Sequence, residues 1–440
     1  MQTITAKFGG SSLADAGQFL KVKKIIEGNS ARRFIVVSAP GKRYDTDEKV
    51  TDMLNRCWQL AISGNSFDEE LQLIASRFKQ IISEASIAFD IDKEISVIAT
   101  NLLTMPHRDY VISRGEYLNT KLLSVYLGMP FVDPALHVHF TEEGILDEVW
   151  TKDDLSSTLL KLPCAVIAGF YGSKPDGSIK TFSRGGSDVT GAIVAEAVGA
   201  DLYENWTDVS GLLAADPRIV ETPKTIDYLS YRELRLLSYM GASVMHTDAV
   251  QPVRKRSIPI NIRNTNEPDN PGTMIVAEPP KNRSMRSITG VAGRKGLCAI
   301  QAEKTLVSDG AGFTAILLDI FKAHKIPFEQ CLTGIDTVTV IIRSDNLNPQ
   351  REEILSDIKK ALSPEVLTVK DNLSMITIVG ENVSDNDKTS IDILSAISNA
   401  GINISTINQG AGRLNLIIGV SDTDYKRTIE LINEIITKSC

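Results

Sequence analysis

Residues 3–12 read TITAKFGGSS, a β-branched run that ends in a lysine, a phenylalanine and two glycines. The run predicts a strand over Thr3–Phe8, and the amphipathic spacing after Ser12 predicts a helix to about Ile26. Paired glycines at such a junction let backbone N–H groups approach an anion, a helix start adds partial positive charge, and Lys7 adds a full one. A phosphate-binding turn and a plain strand-to-helix turn with a solvated lysine both fit this stretch alone.

The same alternation of short apolar runs with amphipathic stretches continues from residue 1 to about 278. It predicts an α/β domain of three layers, in which a mainly parallel sheet lies between helices. The segment from 47 to 103 is predicted to be an inserted helical layer. A domain boundary is predicted at EPPKN, residues 278–282, because its two prolines suit neither a helix interior nor a central strand. The strands are predicted at 3–8, 33–38, 164–169, 201–206, 258–263 and 274–276.

Residues 285–440 carry two successive βαββαβ patterns, which predict two small ferredoxin-like units. The first unit is assigned to 303–371. The second pattern ends one strand short, and a strand over 287–292 would complete it. We therefore assign 285–302 together with 372–440 to the second unit, so that the two units are interleaved.

Composition limits the class of protein. The chain has 440 residues, 42% of them apolar, and a net charge of −8, which argues against disorder and against nucleic-acid binding. Its five cysteines are scattered, no apolar run is long enough to cross a bilayer, and the N-terminus lacks an export signal. We expect a cytoplasmic protein with no membrane partner and no metal site built from side chains. An acidic protein that binds an anion must gather its cations locally, so each Lys or Arg in a glycine-rich loop is a candidate.

Three further motifs carry candidate residues. In SRGE, residues 113–116, a capping box at a helix start and a carboxylate for a substrate ammonium group are alternatives. In FSRGGSD, residues 182–188, Arg184 suits a carboxylate, while Asp188 would orient a lysine or cap a helix. WTDVSG at 206–211, followed by DPR at 216–218, suits a nucleotide, although surface turns explain it equally well.

Seven motifs in this order closely resemble those of the aspartokinases, in the amino-acid kinase family, and the tail resembles paired ACT domains. The resemblance implies ATP-dependent transfer of a phosphoryl group to the side-chain carboxylate of L-aspartate. This reaction opens lysine, threonine and methionine biosynthesis, and Mg²⁺ would be held mainly by ATP oxygens. The motifs are KFGGSS (7–12), SAPGK (38–42), SRGE (113–116), GFYG (169–172), FSRGGSD (182–188), WTDVSG (206–211) and ADPR (215–218).

The resemblance also implies roles for single residues. Lys7 would hold the transferring phosphate, Asp188 would position Lys7, Arg184 would clamp a substrate carboxylate, and Glu116 would bind the substrate ammonium. The remaining aspartate contacts would be Ser38, Thr51, Phe170, Gly185 and Ser187. The remaining nucleotide contacts would be Gly9, Gly10, Ser11, Thr207, Asp208, Leu213, Arg218, Ser243 and Val244. Family members often have a lysine where this chain has Ser243, so a phosphate-contacting charge is missing there.

The ACT-like tail implies feedback inhibition by an end-product amino acid, and lysine is the effector that the resemblance favours. Its predicted contacts are Ser308, Phe313, Phe328 and Glu329. A homodimer, or a dimer of dimers, is the expected assembly. Two alternatives stay open: another amino-acid kinase, such as a glutamate kinase, or an amino-acid sensor built on a kinase weakened at Ser243.

Overall fold

The computed structural model describes residues 2–183, 185–241, 245, 247–280, 288–305, 312–380, 387–409 and 414–438. The chain forms two compact units, and the second takes in more of the sequence than its predicted boundary. The first unit comprises Met1–Leu212, Thr225–Ser238 and Ser243–Arg283, and the second comprises Leu213–Lys224, Tyr239–Ala242 and Ser284–Cys440. The segment after Leu212 joins the second unit because the Val291 amide donates to the Ala214 carbonyl oxygen at 2.7 Å.

The first unit contains ten described strands. They are β1 (Ile4–Phe8), β2 (Arg32–Val37), β3 (Phe131–Val132), β4 (Ala165–Ala168), β5 (Tyr171–Ser173), β6 (Ile179–Thr181), β7 (Leu202–Thr207), β8 (Tyr228–Ser230), β9 (Ile260–Asn264) and β10 (Thr273–Val276). Eight of them form one sheet in the order β3-β4-β2-β1-β7-β9-β10-β8, parallel throughout except where β9 meets β10. Strands β5 and β6 form a separate hairpin. The six predicted strands are present; β3, β5, β6 and β8 were not predicted, because two or three residues are too few to establish a period.

The helices of the first unit are α1 (Ala16–Glu27), α2 (Val50–Ile62), α3 (Asp68–Glu84), α4 (Ile91–Thr104), α5 (Arg108–Leu127), α6 (Glu148–Leu159), α7 (Gly186–Val198), α8 (Tyr231–Tyr239) and α9 (Gln251–Lys255). Helices α2, α3 and α4 occupy the segment that was predicted to be a helical layer. Their apolar faces join one core with the sheet, in which Leu54, Ile74, Phe78 and Val37 are fully buried.

A buried carboxylate ties three strands of the sheet together. Glu204 on β7 accepts two hydrogen bonds from Arg32, at 2.7 and 3.1 Å, and a third from Trp206 Nε1 at 2.8 Å. The guanidinium of Arg263 on β9 lies 3.8 Å from the same carboxylate. Only 2% of the Glu204 side chain is exposed, so its charge depends on these partners.

The second unit is built on an antiparallel sheet. Its strands are β11 (Gly290–Glu303), β12 (Phe328–Thr333), β13 (Thr337–Arg343), β14 (Val366–Val379), β15 (Thr406–Gln409) and β16 (Asn415–Ser421). Its helices are α10 (Phe313–Ala323), α11 (Ser344–Leu347), α12 (Arg351–Leu362), α13 (Asp387–Asn399) and α14 (Tyr425–Lys438). The strand order is β12-β13-β11-β14-β16-β15.

Strands β11 and β14 each run for 14 residues through the middle of this sheet. One end of their ladder pairs Gly290 with Val379, and the other pairs Glu303 with Val366. The sequence pattern predicts separate strands over 287–292 and 296–302 where β11 runs, and over 366–370 and 374–380 where β14 runs. A register shift near Leu297 instead lets the ladder continue. The predicted fold class, a mostly parallel α/β sheet followed by an antiparallel region, is confirmed. Within the described ranges, no helix is long and apolar enough to cross a membrane.

Candidate active site

A cavity of about 640 Å³ lies at the carboxyl ends of four adjacent strands, β2, β1, β7 and β9. These strands are parallel, and the chain runs outward from β1 in both directions, to β2 and to β7. Ligands of open α/β sheets bind at such a reversal point. Six predicted site residues line the cavity: Gly10, Ser11, Ser38, Thr51, Glu116 and Asp208.

The glycines after β1 permit a close backbone contact. A Cβ at Gly10 would lie 2.8 Å from the Ala39 carbonyl oxygen, and a Cβ at Gly41 would lie 2.5 Å from the Gly10 carbonyl carbon. The Gly41 amide donates to the Gly10 carbonyl oxygen at 2.8 Å. The SAPGK loop is thereby held directly against the turn that follows Lys7.

The helix after this turn differs from the prediction. A three-residue 3-10 helix, Ser11–Leu13, follows the glycines, and α1 begins only at Ala16. The Asp15 carboxylate caps α1 by accepting from the Gln18 amide at 2.9 Å. The expected positive charge of a helix start at the glycines was therefore wrong, because a carboxylate already occupies that helix end.

Lys7 is held beneath the turn by two polar side chains. Its Nζ lies 2.5 Å from Asp188 Oδ1 and donates to Asn205 Oδ1 at 3.3 Å. Asn205 also donates to Asp188 Oδ1 at 3.1 Å, so the three side chains form a closed set. Lys7 is only 8% exposed, and a Cβ built at Gly9 would lie 3.6 Å from its Nζ. The ammonium group is thus aimed at the glycine turn with its orientation fixed.

Asn205 was not among the predicted site residues. It lies on β7 directly across the ladder from Lys7 on β1. A polar residue in a buried parallel strand was the available signal, because such strands are usually apolar throughout. Its importance depends on a neighbour 198 positions away in sequence, which only the sheet order reveals.

Glu116 lies in the interior of α5, not at its start. The helix begins at Arg108, and Ser113 Oγ donates back to the Tyr110 carbonyl oxygen at 2.7 Å. The capping-box alternative for SRGE was therefore wrong. Gly115 faces the SAPGK loop, since a Cβ there would lie 2.8 Å from that of Ala39.

The Glu116 carboxyl is buried, with only 5% of the residue exposed. Its Oε2 has no hydrogen-bond partner among the described residues. Burial raises the pKa of this carboxyl to about 8, and the hydrogen bond from the Ala39 amide opposes that rise. Glu116 therefore presents to the cavity a carboxyl that is ready to pair with a cationic group.

The GFYG and FSRGGSD motifs meet at the start of α7. Phe170 has a left-handed backbone (φ 81°), and its amide donates to Thr190 Oγ1 at 3.1 Å. A Cβ at Gly169 would lie 2.6 Å from Ser187 Oγ, and one at Gly186 would lie 2.7 Å from the Phe170 ring. Phe170 and Ser187 are thus brought together. Gly185 caps α7 with φ 57°, and Arg184 lies outside the described residues.

The predicted nucleotide contacts are divided. Asp208 lines the cavity and accepts from Thr207 Oγ1 at 3.1 Å. Leu213 and Arg218 belong to the second unit, where Arg218 donates to Asp216 at 2.7 Å from an exposed position. Ser243 and Val244 lie outside the described residues.

Of the predicted effector contacts, Glu329 is already paired with an arginine. Glu329 on β12 accepts from Arg294 Nη1 at 2.6 Å, and its side chain is 8% exposed. Burial, followed by a hydrogen bond with Glu329, raises the pKa of Tyr239. Phe328 is exposed and Phe313 is buried at the start of α10, whereas Ser308 lies outside the described residues. Arg294 was not predicted, and it occupies the carboxylate that was assigned to an effector.

The fold and the lysine–glycine turn define a class of protein, and sequence comparison agrees. The amino acid kinase family model matches residues 2–264, and an ACT domain model matches residues 376–435. The chain belongs to the amino acid kinase family.

Individual relatives narrow this assignment. Aspartokinase 3 of Bacillus subtilis is 34% identical over 97% of both chains, and the aspartokinase of Mycolicibacterium smegmatis is 26% identical over 99% of this chain and 96% of that one. The crystal structure of Clostridium acetobutylicum aspartate kinase, described as an allosteric enzyme, superposes with a TM-score of 0.90 at 41% identity, covering 99% of this chain and all of that one. The activity is that of an aspartate kinase with allosteric regulation through its ACT region. E. coli aspartokinase III, with a TM-score of 0.75 at 22% identity over 98% and 99% of the chains, shares the fold.

Proposed function

We propose that the cavity at the carboxyl ends of β2, β1, β7 and β9 binds L-aspartate beside the phosphates of ATP, and that the product is 4-phospho-L-aspartate. The observation that carries this proposal is that a cationic side chain and a buried carboxyl group lie at the same cavity or against its lining. The buried, oriented ammonium of Lys7 lies against the glycine turn, whose Gly10 and Ser11 line the cavity, and the Glu116 carboxyl with a free oxygen lines the cavity as well. The first suits a phosphate and the second suits the amino group of an amino acid.

Aspartate recognition rests on charge. Glu116 would accept the substrate ammonium, and Ser38 and Thr51, which line the cavity, would contribute hydrogen bonds. Ser38 is well placed for this role because Asn119 Nδ2 donates to its carbonyl oxygen at 2.7 Å. Arg184 would clamp a substrate carboxylate, and Phe170, Gly185 and Ser187 would complete the pocket near the start of α7.

Phosphoryl transfer needs little chemistry from the protein. The aspartate carboxylate is already ionised near neutral pH, so no general base is required. Lys7 would neutralise charge that develops on the transferring group, and the amides of Gly10 and Ser11 would hold its oxygens. The Gly9 amide donates to the Trp206 carbonyl oxygen at 2.9 Å, so Gly9 would contribute close backbone approach and not a hydrogen bond. Asp188 and Asn205 would keep Lys7 aimed at the same point throughout the reaction, because they bind its ammonium before any substrate arrives.

The nucleotide would extend from the glycine turn toward Thr207 and Asp208, with Ser243 and Val244 as further contacts. Mg²⁺ bound to ATP usually takes one or two protein carboxylates, with phosphate oxygens and water supplying the rest. Asp208 is a carboxylate that lines the cavity, so the residues present fit such an ion. The ion would supply additional neutralisation of phosphate charge.

For regulation, we propose that lysine is the effector and that Glu329 binds its distal ammonium, with Ser308, Phe313 and Phe328 nearby. Glu329 is a largely buried carboxylate that binds a guanidinium at 2.6 Å, so it suits a cation, and the effector ammonium would compete with Arg294 for it. We also propose a catalytic domain over 1–278, interleaved ACT units over 303–371 and over 285–302 with 372–440, and assembly as a homodimer or a dimer of dimers.

The test is the reaction itself. The enzyme is incubated with ATP, Mg²⁺ and aspartate, the acyl phosphate is trapped with hydroxylamine, and lysine, threonine or methionine is added in turn. We expect a hydroxamate that depends on both substrates and decreases with lysine. Glutamate in place of aspartate is the matched substrate control. A hydroxamate of equal yield with glutamate would contradict the proposed specificity, and inhibition by threonine alone would contradict the proposed effector.

A further inference from the structure

The loop of residues 38–49, here called the rim loop, supplies more than half of the residues that line the cavity. It joins β2 to α2 and carries two cavity-lining lysines, Lys42 and Lys49. Its lining residues belong to neither a helix nor a strand and lie beyond Val37, the last residue of β2. The position of the rim loop therefore depends on the residues that contact it on the side away from the cavity.

Arg77 holds the rim loop from the helical layer. It lies on α3, is only 5% exposed, and donates from Nη1 to the Glu48 carbonyl oxygen at 2.6 Å. Its Nη2 donates to the Gly41 carbonyl oxygen and lies 3.3 Å from Asp47 Oδ2. One guanidinium thus reaches the loop near its start and near its end.

The first of these contacts leads directly to the phosphate turn. Gly41, whose carbonyl oxygen accepts from Arg77, donates its own amide to Gly10. The two glycines are in such close contact that a Cβ on Gly41 would lie 2.5 Å from the Gly10 carbonyl carbon. A shift of Gly41 therefore moves the Gly10 backbone, and a shift of Arg77 moves Gly41.

The cost of this arrangement argues against simple packing. A buried arginine is an expensive way to fill space, because its charge loses solvation. That loss lowers the pKa of the Arg77 guanidinium, which Asp47 only partly restores. Two of its hydrogen bonds go to main-chain carbonyl oxygens of the rim loop, so its fixed fork sets backbone position as well as balancing charge.

We infer that Arg77 is a positioning residue for phosphoryl transfer: it holds the rim loop against the glycine turn and so keeps the substrate pocket in its productive shape. This inference rests on the proposed function of the cavity. Arg77 itself lines a separate cleft of about 390 Å³ together with Arg43, Asp47 and Gln80. Its effect on the reaction is carried by Gly41 and Gly10.

The cleft makes a chemical rescue feasible. Arg77→Ala would leave a guanidinium-sized gap that opens on this cleft, so free guanidinium at millimolar, non-denaturing concentration can enter. We expect kcat/KM for aspartate to fall roughly 100-fold in Arg77→Ala, as for a small misplacement of reacting groups. Guanidinium should restore most of the loss and, because it binds the folded protein, should raise the thermal midpoint slightly, whereas urea should do neither. Arg77→Lys, a single point cation, should recover only part of the activity.

The control is Arg56→Ala. Arg56 pairs with the Glu48 side chain of the same loop but is 44% exposed and also pairs with Glu70, so its removal should change kcat/KM by less than about threefold. Near-normal kcat/KM in Arg77→Ala, or a loss that follows the unfolded fraction and resists guanidinium, would overturn the inference.

A second measurement separates this inference from the proposed function. Trypsin should cut after Lys42 and Arg43 several-fold faster in Arg77→Ala than in the parent protein, whichever ligands the cavity binds. Equal cutting rates would refute the anchoring role even if the cavity is the active site. Normal turnover in Lys7→Ala would instead refute the site assignment and leave the trypsin result to stand on its own.

Discussion

The buried Glu116 carboxyl predicts how aspartate binding depends on pH. Burial raises its pKa to about 8, so the group is mostly protonated at neutral pH. The substrate ammonium pairs with the ionised form, and the amino group of a free amino acid stays protonated between about pH 6 and pH 8. Aspartate binding must therefore release a proton from Glu116, and it should strengthen as the pH rises.

The magnitude follows from the pKa. With a pKa of about 8, roughly 1% of Glu116 is ionised at pH 6, about 10% at pH 7 and half at pH 8. Since kcat/KM reports on the free enzyme, its value for aspartate should rise about fifty-fold from pH 6 to pH 8. The kcat at saturating aspartate should change far less, because the bound ammonium lowers the pKa of the carboxyl. Among the described residues that line the cavity, none is a histidine or a cysteine that would titrate in this range.

Initial rates of ADP release at saturating ATP, measured over this pH range, test the prediction. The matched variant is Glu116→Gln, which keeps the acceptor for the Ala39 amide but cannot ionise. We expect its kcat/KM to be low and independent of pH. A flat profile for the parent enzyme, or the same fifty-fold rise in Glu116→Gln, would refute the reasoning.

The raised pKa of Glu116 also predicts how protein stability changes with pH, which can be measured independently of catalysis. A carboxyl whose pKa is raised on folding favours the folded state most below its unfolded value near 4.5, and this contribution is lost as pH rises toward about 8. Bound aspartate should offset that loss. The increase in melting temperature on adding saturating aspartate should therefore be larger at pH 8 than at pH 6, and Glu116→Gln should show no such difference.

Three other changes have expected outcomes. Lys7→Ala should lower kcat by orders of magnitude and leave the circular dichroism spectrum unchanged. Lys21→Ala, which removes an exposed lysine of α1, should leave kcat nearly unchanged. Near-normal turnover in Lys7→Ala would contradict the phosphate role. Glu204→Gln should lower the free energy of unfolding by about 3 kcal/mol, because it leaves buried guanidinium groups without a counter-charge. Urea titration measures this loss, and a change below about 1 kcal/mol would count against the assigned role. Glu329→Ala should weaken lysine binding, measured by calorimetry, by at least tenfold. Arg294→Ala, which removes the competing cation, should strengthen lysine binding. Unchanged isotherms in both variants would exclude the Glu329 carboxylate as the effector contact.

The architecture was largely accessible from the sequence, because long periodic segments carry strong signals. Six of the eight strands of the mainly parallel sheet, and the helical layer, were predicted from apolar runs and amphipathic spacing. Strand β8 and the hairpin of β5 and β6 are too short to show a period. Helix α5 was placed too late because Ser113 and Glu116 imitate a capping box, whereas both residues lie inside a helix that begins at Arg108.

Only part of the candidate site could be predicted from the sequence. Lys7 and the glycines after β1 stand out, because a cation beside paired glycines at a strand end is a local pattern. Asn205 and Arg77 do not, because each acts on a residue far away in sequence, at separations of 198 and 36 positions. Arg294 was missed for the same reason, since its partner Glu329 lies 35 positions away on another strand. Residues that hold the site residues in place can be identified only when the order of the strands is known.

The two central strands of the antiparallel sheet, β11 and β14, have a consequence for how such a regulatory region is inherited. Each strand serves both halves of the sheet, so neither half has a complete set of strands without borrowing from the other. A recombination event that transferred one half alone would leave strand edges with unpaired backbone N–H and C=O groups in both the donor and the recipient. The two halves are therefore expected to be exchanged, duplicated or lost together, and a substitution in either shared strand affects both halves of the sheet at once.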